Sequence, residues 1–245
     1  MKKIGIVGGV AWLSTVDYYA EICRRSERWH SAQNRPGIPS TPEMTIESLD
    51  HSKAVSYLGV DGDEDSWSRF DEYHRAALQR LEASGAQFGL IASNTAHHRF
   101  APIVRGVGIP VISILEVTAK ECARLGVTEV LLLGTNITMK SAVFREEFAR
   151  HGVRAASPDD DEARAQTVKL VAELSLGQVD GAAERLSRIA DAHPVVCLAC
   201  TELALGFPER KTLSTFEHDG AIYINTTALH IAAAFHFAVA DQPVT

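Results

Sequence analysis

"IASNTAHH", residues 91–98, is an apolar strand end that runs into Ser-Asn-Thr and then into what reads as the first turn of a helix. "LACTELAL", residues 198–205, repeats that order, with Cys200 at the tip where the earlier stretch has Ser93. A strand that stops on a polar tip and turns at once into a helix is the joint of a parallel sheet, because parallel neighbours need crossover connections. Working outward, short β-branched runs alternate with longer helical patterns from one end of the chain to the other, so the fold class is α/β. Strands are predicted near Ile4 to Val7, Met44 to Ser48, Phe88 to Ser93 and Val111 to Ile114. A second set follows near Val130 to Leu133, Val153 to Ala155, Val195 to Ala199 and Ile222 to Ile224.

Each half offers a tight turn after its first strand, "GGVAWLST" and then "GTNITMKS", and a polar turn after a later one, "SNTAHH" and then "CTELAL". The chain therefore reads as a duplication: two pseudo-symmetric domains, each a parallel sheet flanked by helices. Ligands of open parallel sheets gather beyond the carboxyl ends of the strands, so the active site is expected in the crevice between the two domains. The expected division gives residues 1–97 with 208–245 to the first domain and residues 98–207 to the second. Helix punctuation fits this plan. Ser14 with Asp17 resembles a capping box, and Gly85, Gly126, Gly152 and Gly177 stand where helices should stop. Trp67, Phe70, Ala77, Leu78 and Leu81 fall on one helical face, so that helix covers a sheet. "NRPGIPSTPE", with Pro36, Pro39 and Pro42, reads as a loop, and "DGDED" at residues 61–65 as a solvated approach to a helix.

The 245 residues, 46% hydrophobic and 22% charged, are enough for one large core or two smaller ones. A net charge of −7 without a basic stretch argues against nucleic acid and against an anionic membrane, leaving a small molecule as the expected partner. No apolar run reaches the ~18 residues of a membrane span, and "MKKIGIVGGV" enters a strand without a signal-peptide pattern, so a cytoplasmic location is expected. Cys23, Cys122, Cys197 and Cys200 are too few for a disulfide scaffold and are expected as thiols.

The glycines of "GIVGGVAW" are Gly5, Gly8 and Gly9, which do not make the G-x-G-x-x-G dinucleotide fingerprint. Two readings stay open for Gly9 and Val10: a loop whose free N–H groups hold a substrate carboxylate, or a tight turn that needs glycine for backbone reasons. In "CLAC", an odd separation sends Cys197 and Cys200 to opposite faces of a strand, and no second such pair completes a tetrahedral metal site, so no metal is expected. Cys23, Cys122 and Cys197 read as small buried hydrophobes. Cys200 reads as a catalytic acid/base, because a helix N-terminus would lower a thiol from its ordinary pKa of about 8.5. His97 and His98 are either acid/base groups or one packed and one outward-facing histidine.

"IGIVGGVAWLSTVDYY", "SNTAHH", "LLLGTNITM", "CTELAL" and "INTTALH" together resemble the aspartate/glutamate racemase family, in order and over nearly the whole chain. The resemblance implies cofactor-independent enzymes of two similar α/β domains, often dimers, so a homodimer is expected. It also implies two cysteines that exchange a proton on opposite faces of an amino-acid α-carbon. Asn94, Thr95, Thr135, Thr138 and Thr201 would then line a small-molecule carboxylate or amino acid. The chain departs from the family pattern at three places. The first cysteine, expected immediately before Asn-Thr or one position earlier, is Ser93 or Ala92; the lysine that holds a side-chain carboxylate aligns with Ala165, beside Arg164; and the C-terminal aspartate is Asn225.

A serine hydroxyl is not appreciably ionised at neutral pH without a positioned base. A two-base racemase lacking one base should lose about 10² to 10⁴ in rate. Three explanations are open: a one-thiol enzyme, rescue of Ser93 by His97 or Thr95, or a serine introduced to trap a ligand. The leading function is a racemase-like enzyme with Cys200 and Ser93 as its catalytic residues. The alternatives are a one-cysteine decarboxylase of malonate-type acids and a non-catalytic dicarboxylate or amino-acid binder.

Overall fold

The structure, a computed structural model, describes residues 1–33, 37–190 and 193–240, so Pro36 of the expected proline loop lies outside the described residues. The backbone divides into two compact units. One comprises Met1–Ala92, Arg99–Ile112 and the chain from Ile231 onward; the other comprises Ser93–His98 and Ser113–His230.

The first unit carries β1 (Ile4–Gly8), α1 (Trp12–Ala32), β2 (Met44–Ser48), α2 (His51–Ser56), α3 (Ser68–Ala83), β3 (Phe88–Ile91), α4 (Phe100–Val104) and β4 (Val111–Ile112). Its strands are all parallel, in the order β2-β1-β3-β4. β1 and β3 are buried at every position, as strands covered on both faces must be. Ile4, Ile6, Phe88 and Leu90 pack with Tyr18 and Ile22 of α1, each such aliphatic side chain contributing about 1.5–3 kcal/mol when removed from water. The face predicted around Trp67 to Leu81 is the one that α3 and its preceding turn bury.

The second unit carries α5 (Ile114–Arg124), β5 (Glu129–Gly134), α6 (Asn136–Lys140), α7 (Ala142–Arg150), β6 (Arg154–Ala156), α8 (Asp161–Ser175), α9 (Ala182–Ala190), β7 (Val195–Ala199), β8 (Thr215–His218), β9 (Ala221–Asn225) and the start of α10 (Thr226–Val239). Its sheet runs β6-β5-β7-β9-β8, with β8 alone antiparallel. Without β8, both sheets show one order of strands along the chain, second-first-third-fourth, which is the duplication expected from the repeated turns. β5 and β7 alternate cleanly. Leu131, Leu133, Val196, Leu198 and Cys200 join Leu170, Leu174 and Leu186 of α8 and α9, while Val130, Leu132, Cys197 and Ala199 join Ile114, Phe144 and Phe148 of α5 and α7.

Several expectations are corrected. β9 pairs with β7, so residues 208–230, expected with the first domain, complete the second sheet instead. The turn at residues 93–98 also belongs to the second unit, through side-chain bonds that no propensity pattern records. β8 was not expected; it returns through Asp219 and Gly220, both at positive φ (47° and 79°), the backbone of a tight antiparallel hairpin. The capping box at Ser14 does not form, since α1 begins two residues earlier, at Trp12, and Ala11 supplies no side-chain cap.

Candidate active site

The site is built on the carboxyl edge of the second sheet. Gly134 lies opposite Ala199 and Leu198 opposite Asn225, so Thr135 follows level with Cys200 at the end of β5, and Thr226 follows level with Ala199, one residue before Cys200, at the end of β9. Gly134 permits this closeness: a Cβ there would stand 2.6 Å from the Ala199 carbonyl oxygen.

The turn at residues 93–98 is pinned to the neighbours on both sides of Cys200. Asn94 Nδ2 donates to Thr226 Oγ1 at 3.0 Å, and Thr226 Oγ1 donates to the Leu198 carbonyl at 2.8 Å. On the other side Thr95 Oγ1 meets Thr135 Oγ1 at 3.1 Å, and Thr135 Oγ1 meets Thr138 Oγ1 at 2.9 Å. Ser93, Asn94, Thr95, Thr135, Thr138, Cys200 and Thr201 are thus collected in one unit, while Gly9 and Val10 belong to the other. Thr226 was missed in sequence, although its place after "IN" at a strand end is the same signal that picked out Thr135.

Cys200 continues the extended backbone of β7 (φ −143°, ψ 135°) and stands before a short 3₁₀ helix, Thr201–Gly206. Its Sγ donates to Glu202 Oε2 at 3.0 Å, and Thr201 Oγ1 donates to the same oxygen at 3.0 Å. The expected lowering of the thiol is overturned. Burial first, then the Glu202 charge and the S–H···O bond to it, push Cys200 well above an ordinary thiol, against the backbone N–H groups of Glu202 and Thr201, which favour the thiolate. A six-residue 3₁₀ helix has too small a dipole to reverse that balance. Cys197, on the other face, is also pushed well up by burial, and Cys122 is pushed up to about 12.

Ser93 is buried, and its hydroxyl has no hydrogen-bond partner among the described residues. His97 is not placed to activate it. Nδ1 faces the Ser93 carbonyl at 2.7 Å and must donate to it, while Nε2 accepts from the Ile114 N–H at 3.1 Å, so both ring nitrogens are engaged in bracing the turn. His98 is half-buried and meets Ser141 Oγ, the N-cap of α7, at 2.9 Å. Thr95 is engaged with Thr135.

At the end of β1, the Gly9 N–H donates to Thr15 Oγ1 at 2.9 Å and is not free to hold a carboxylate. Gly9 has φ +86°, and an added Cβ would stand 2.5 Å from Leu49 N, so glycine is required there by the backbone. Ala165 lines an open cleft of about 620 Å³ beside α8 and α9 with Gln166, Lys169, Arg185 and Arg188. Arg164 is turned back on its own helix start, bonded to the Pro158 carbonyl and to Asp161. Asn225 is fully buried: Nδ2 donates to the Lys211 carbonyl at 2.9 Å and Oδ1 accepts from the Ala228 N–H at 3.2 Å, a pair of bonds that one neutral amide can make. Among the described residues, no helix is long and apolar enough to cross a membrane, and no group of three His, Cys, Asp or Glu side chains is placed to hold a metal ion.

Comparison with known proteins shows the family and the fold. A family model described as Asp/Glu/Hydantoin racemase matches residues 7–234. A broad specificity amino-acid racemase of Bacillus subtilis is 24% identical over 163 residues, 64% of this chain and 64% of that protein. The chain thus spans less than two thirds of that relative. The crystal structure of an aspartate racemase homologue from Pyrococcus horikoshii is 26% identical, with a TM-score of 0.73 over 97% of this chain and 99% of that one. The aspartate racemase of Picrophilus torridus shares the fold at 20% identity, with a TM-score of 0.73 over 97% of this chain and 94% of that one.

Proposed function

The chain belongs to the Asp/Glu/hydantoin racemase family, and from that premise we propose that it moves a proton at the α-carbon of a small carboxylated amino acid. It needs no cofactor on this reading: Cys200 is one acid/base, and Ser93 stands where a second thiol would be. The observation that carries the proposal is the pinning of the 93–98 turn to Thr135 and Thr226, the residues flanking Cys200. Hydroxyls and an amide gathered beside one thiol suit a carboxylate whose α-carbon must become a carbanion, since positioned donors stabilise the charge that develops on its oxygens. Asn94, Thr95, Thr135, Thr138 and Thr201 supply those donors.

A thiol on one face and an unassisted hydroxyl on the other make a lopsided pair. Cys200 exchanges its proton with the α-carbon, and water serves the Ser93 side, at a rate below that of a two-thiol enzyme. Ala165 stands at the aligned position and Arg164 is bonded to Pro158 and Asp161, so neither of these two residues offers a cation to a side-chain carboxylate. The test is α-hydrogen exchange of L- and D-amino acids in heavy water, from alanine to aspartate and glutamate. Exchange of a small side chain ahead of the dicarboxylates is expected; no exchange of any of them ends the racemase reading.

A second reading draws support from one observation: Cys200 Sγ donates to the Glu202 carboxylate, a contact that favours the thiol. Decarboxylation of a malonate-type acid needs one proton delivered to one face of an enolate, which a resting thiol supplies without a second base. Carbon dioxide release from substituted malonates, lost in Cys200→Ala, would move the assignment to that reaction. Ligand-induced thermal stabilisation with neither product formed would leave a binder. The working form proposed is a cytoplasmic homodimer, and sedimentation equilibrium tests its size.

A further inference from the structure

Glu202 is 8% exposed and follows Cys200 by two residues. Both polar contacts of its carboxylate fall on one oxygen, Oε2, from Cys200 Sγ and Thr201 Oγ1, each at 3.0 Å. No Lys, Arg or His pairs with it among the described residues. A nearly buried carboxylate without a cation is costly to keep, and a short 3₁₀ turn gains little from an acidic residue at its start. Fold stability alone therefore gives a poor account of this side chain.

We propose that Glu202 is the positioning residue for the Cys200 proton: it holds the sulfhydryl hydrogen on the Sγ–Oε2 line, takes it when Cys200 must act as a base, and releases a proton to water when the turnover closes. In the first transfer the S–H bond breaks and an O–H bond forms, giving a thiolate beside a neutral carboxylic acid. The thiolate then takes the α-hydrogen, its electron pair staying on the substrate carbon, and the S–H bond is restored; water protonates the carbanion from the Ser93 side, and Glu202 gives its proton to the hydroxide so formed, with the same steps reversed when Cys200 delivers the proton. The role rests on the reading of Cys200 as an acid/base. Among the described residues, no other charge acts on the thiol. The apolar cluster around Cys200 has Tyr223 of β9 as its other titratable member, α8 turns Thr167, Leu170 and Leu174 inward, the strand-end neighbours Thr135 and Thr226 are neutral hydroxyls, and Glu202 is the charge that acts on the sulfur.

The test titrates Cys200 by its ultraviolet thiolate absorbance, taken as the difference between each protein and the same protein carrying Cys200→Ala. In Glu202→Gln the midpoint should fall by about one pH unit or more, while α-hydrogen exchange falls by ~10²-fold. Glu202→Asp keeps the charge but withdraws it by one methylene, so a smaller downward shift and partial activity are expected, and that variant carries the test if the glutamine protein does not fold. Midpoints equal to that of the unaltered protein in both variants would overturn the proposal. Because the titration needs no substrate, it judges Glu202 even if exchange is absent and the racemase reading fails.

Discussion

The turn after β3 and the turn after β7 occupy one place in two sheets of the same strand order, and both wind as 3₁₀ helices, Thr95–Arg99 and Thr201–Gly206. At the tip of the first, a hydroxyl stands without a hydrogen-bond partner among the described residues; at the tip of the second, a thiol donates to a carboxylate. The first turn spends its histidine on bracing its own backbone, His97 Nδ1 to the Ser93 carbonyl, and the second has an acid in the comparable neighbourhood. A duplicated backbone can thus be kept while its two tip residues are given different partners. What decides the chemistry is the partner of the tip residue, because neither a thiol nor a hydroxyl is a competent base by itself near neutral pH.

The largest break in this asymmetry should come from Cys200→Ala, which removes the proposed acid/base and is expected to lower α-hydrogen exchange by ~10²–10⁴-fold; exchange surviving at the parental rate would move the chemistry elsewhere. Restoring the symmetry with Ser93→Cys should raise racemisation by about 10²-fold, followed by polarimetry from either enantiomer. An unchanged rate would mean that the two tips are not equivalent.

Stability should record the protonated thiols as well. Cys197 and Cys200 keep in the native state protons that the unfolded chain releases above about pH 8.5. Their contribution is therefore complete below that value and lost as pH rises beyond it, at up to ~1.4 kcal/mol per pH unit per thiol. Urea midpoints measured through the alkaline range should fall for the parent more steeply than for Cys200→Ala. The smallest effect is expected from Thr95→Val, which cuts the hydroxyl chain to Thr135 and should cost about 1 kcal/mol in urea denaturation. A cost near zero would show that the 93–98 turn is held by Asn94 and His97 without it.

The α/β class could be read from apolar patterning and the duplication from the repeated turns, because buried parallel strands such as "IGIVG" and "VVCLA" are continuous apolar runs between turns. β8 could not, since Thr215–His218 is a short edge strand defined by its partner. The domain boundary failed for a related reason: Ile222 to Ile224 was recognised as a strand, but which sheet receives a strand is a matter of long-range pairing. At the site, Ser93 and Cys200 stood out as tip residues of matching turns. The direction of the thiol's shift did not, because it depends on how far burial and the rotamer of Glu202 outweigh two backbone N–H groups. The fate of the Gly9 N–H was equally hidden, turning on one hydroxyl six residues away.

The sulfhydryl of Cys200, capped by a carboxylate, has a bearing on how the protein meets oxidants. Peroxides and alkylating reagents attack thiolates, so a sulfur kept as S–H and turned into the fold should resist both and need no reducing agent for its upkeep. Indifference to such reagents in neutral buffer would then mark a guarded nucleophile rather than an idle one, and modification by them should become rapid only in alkali.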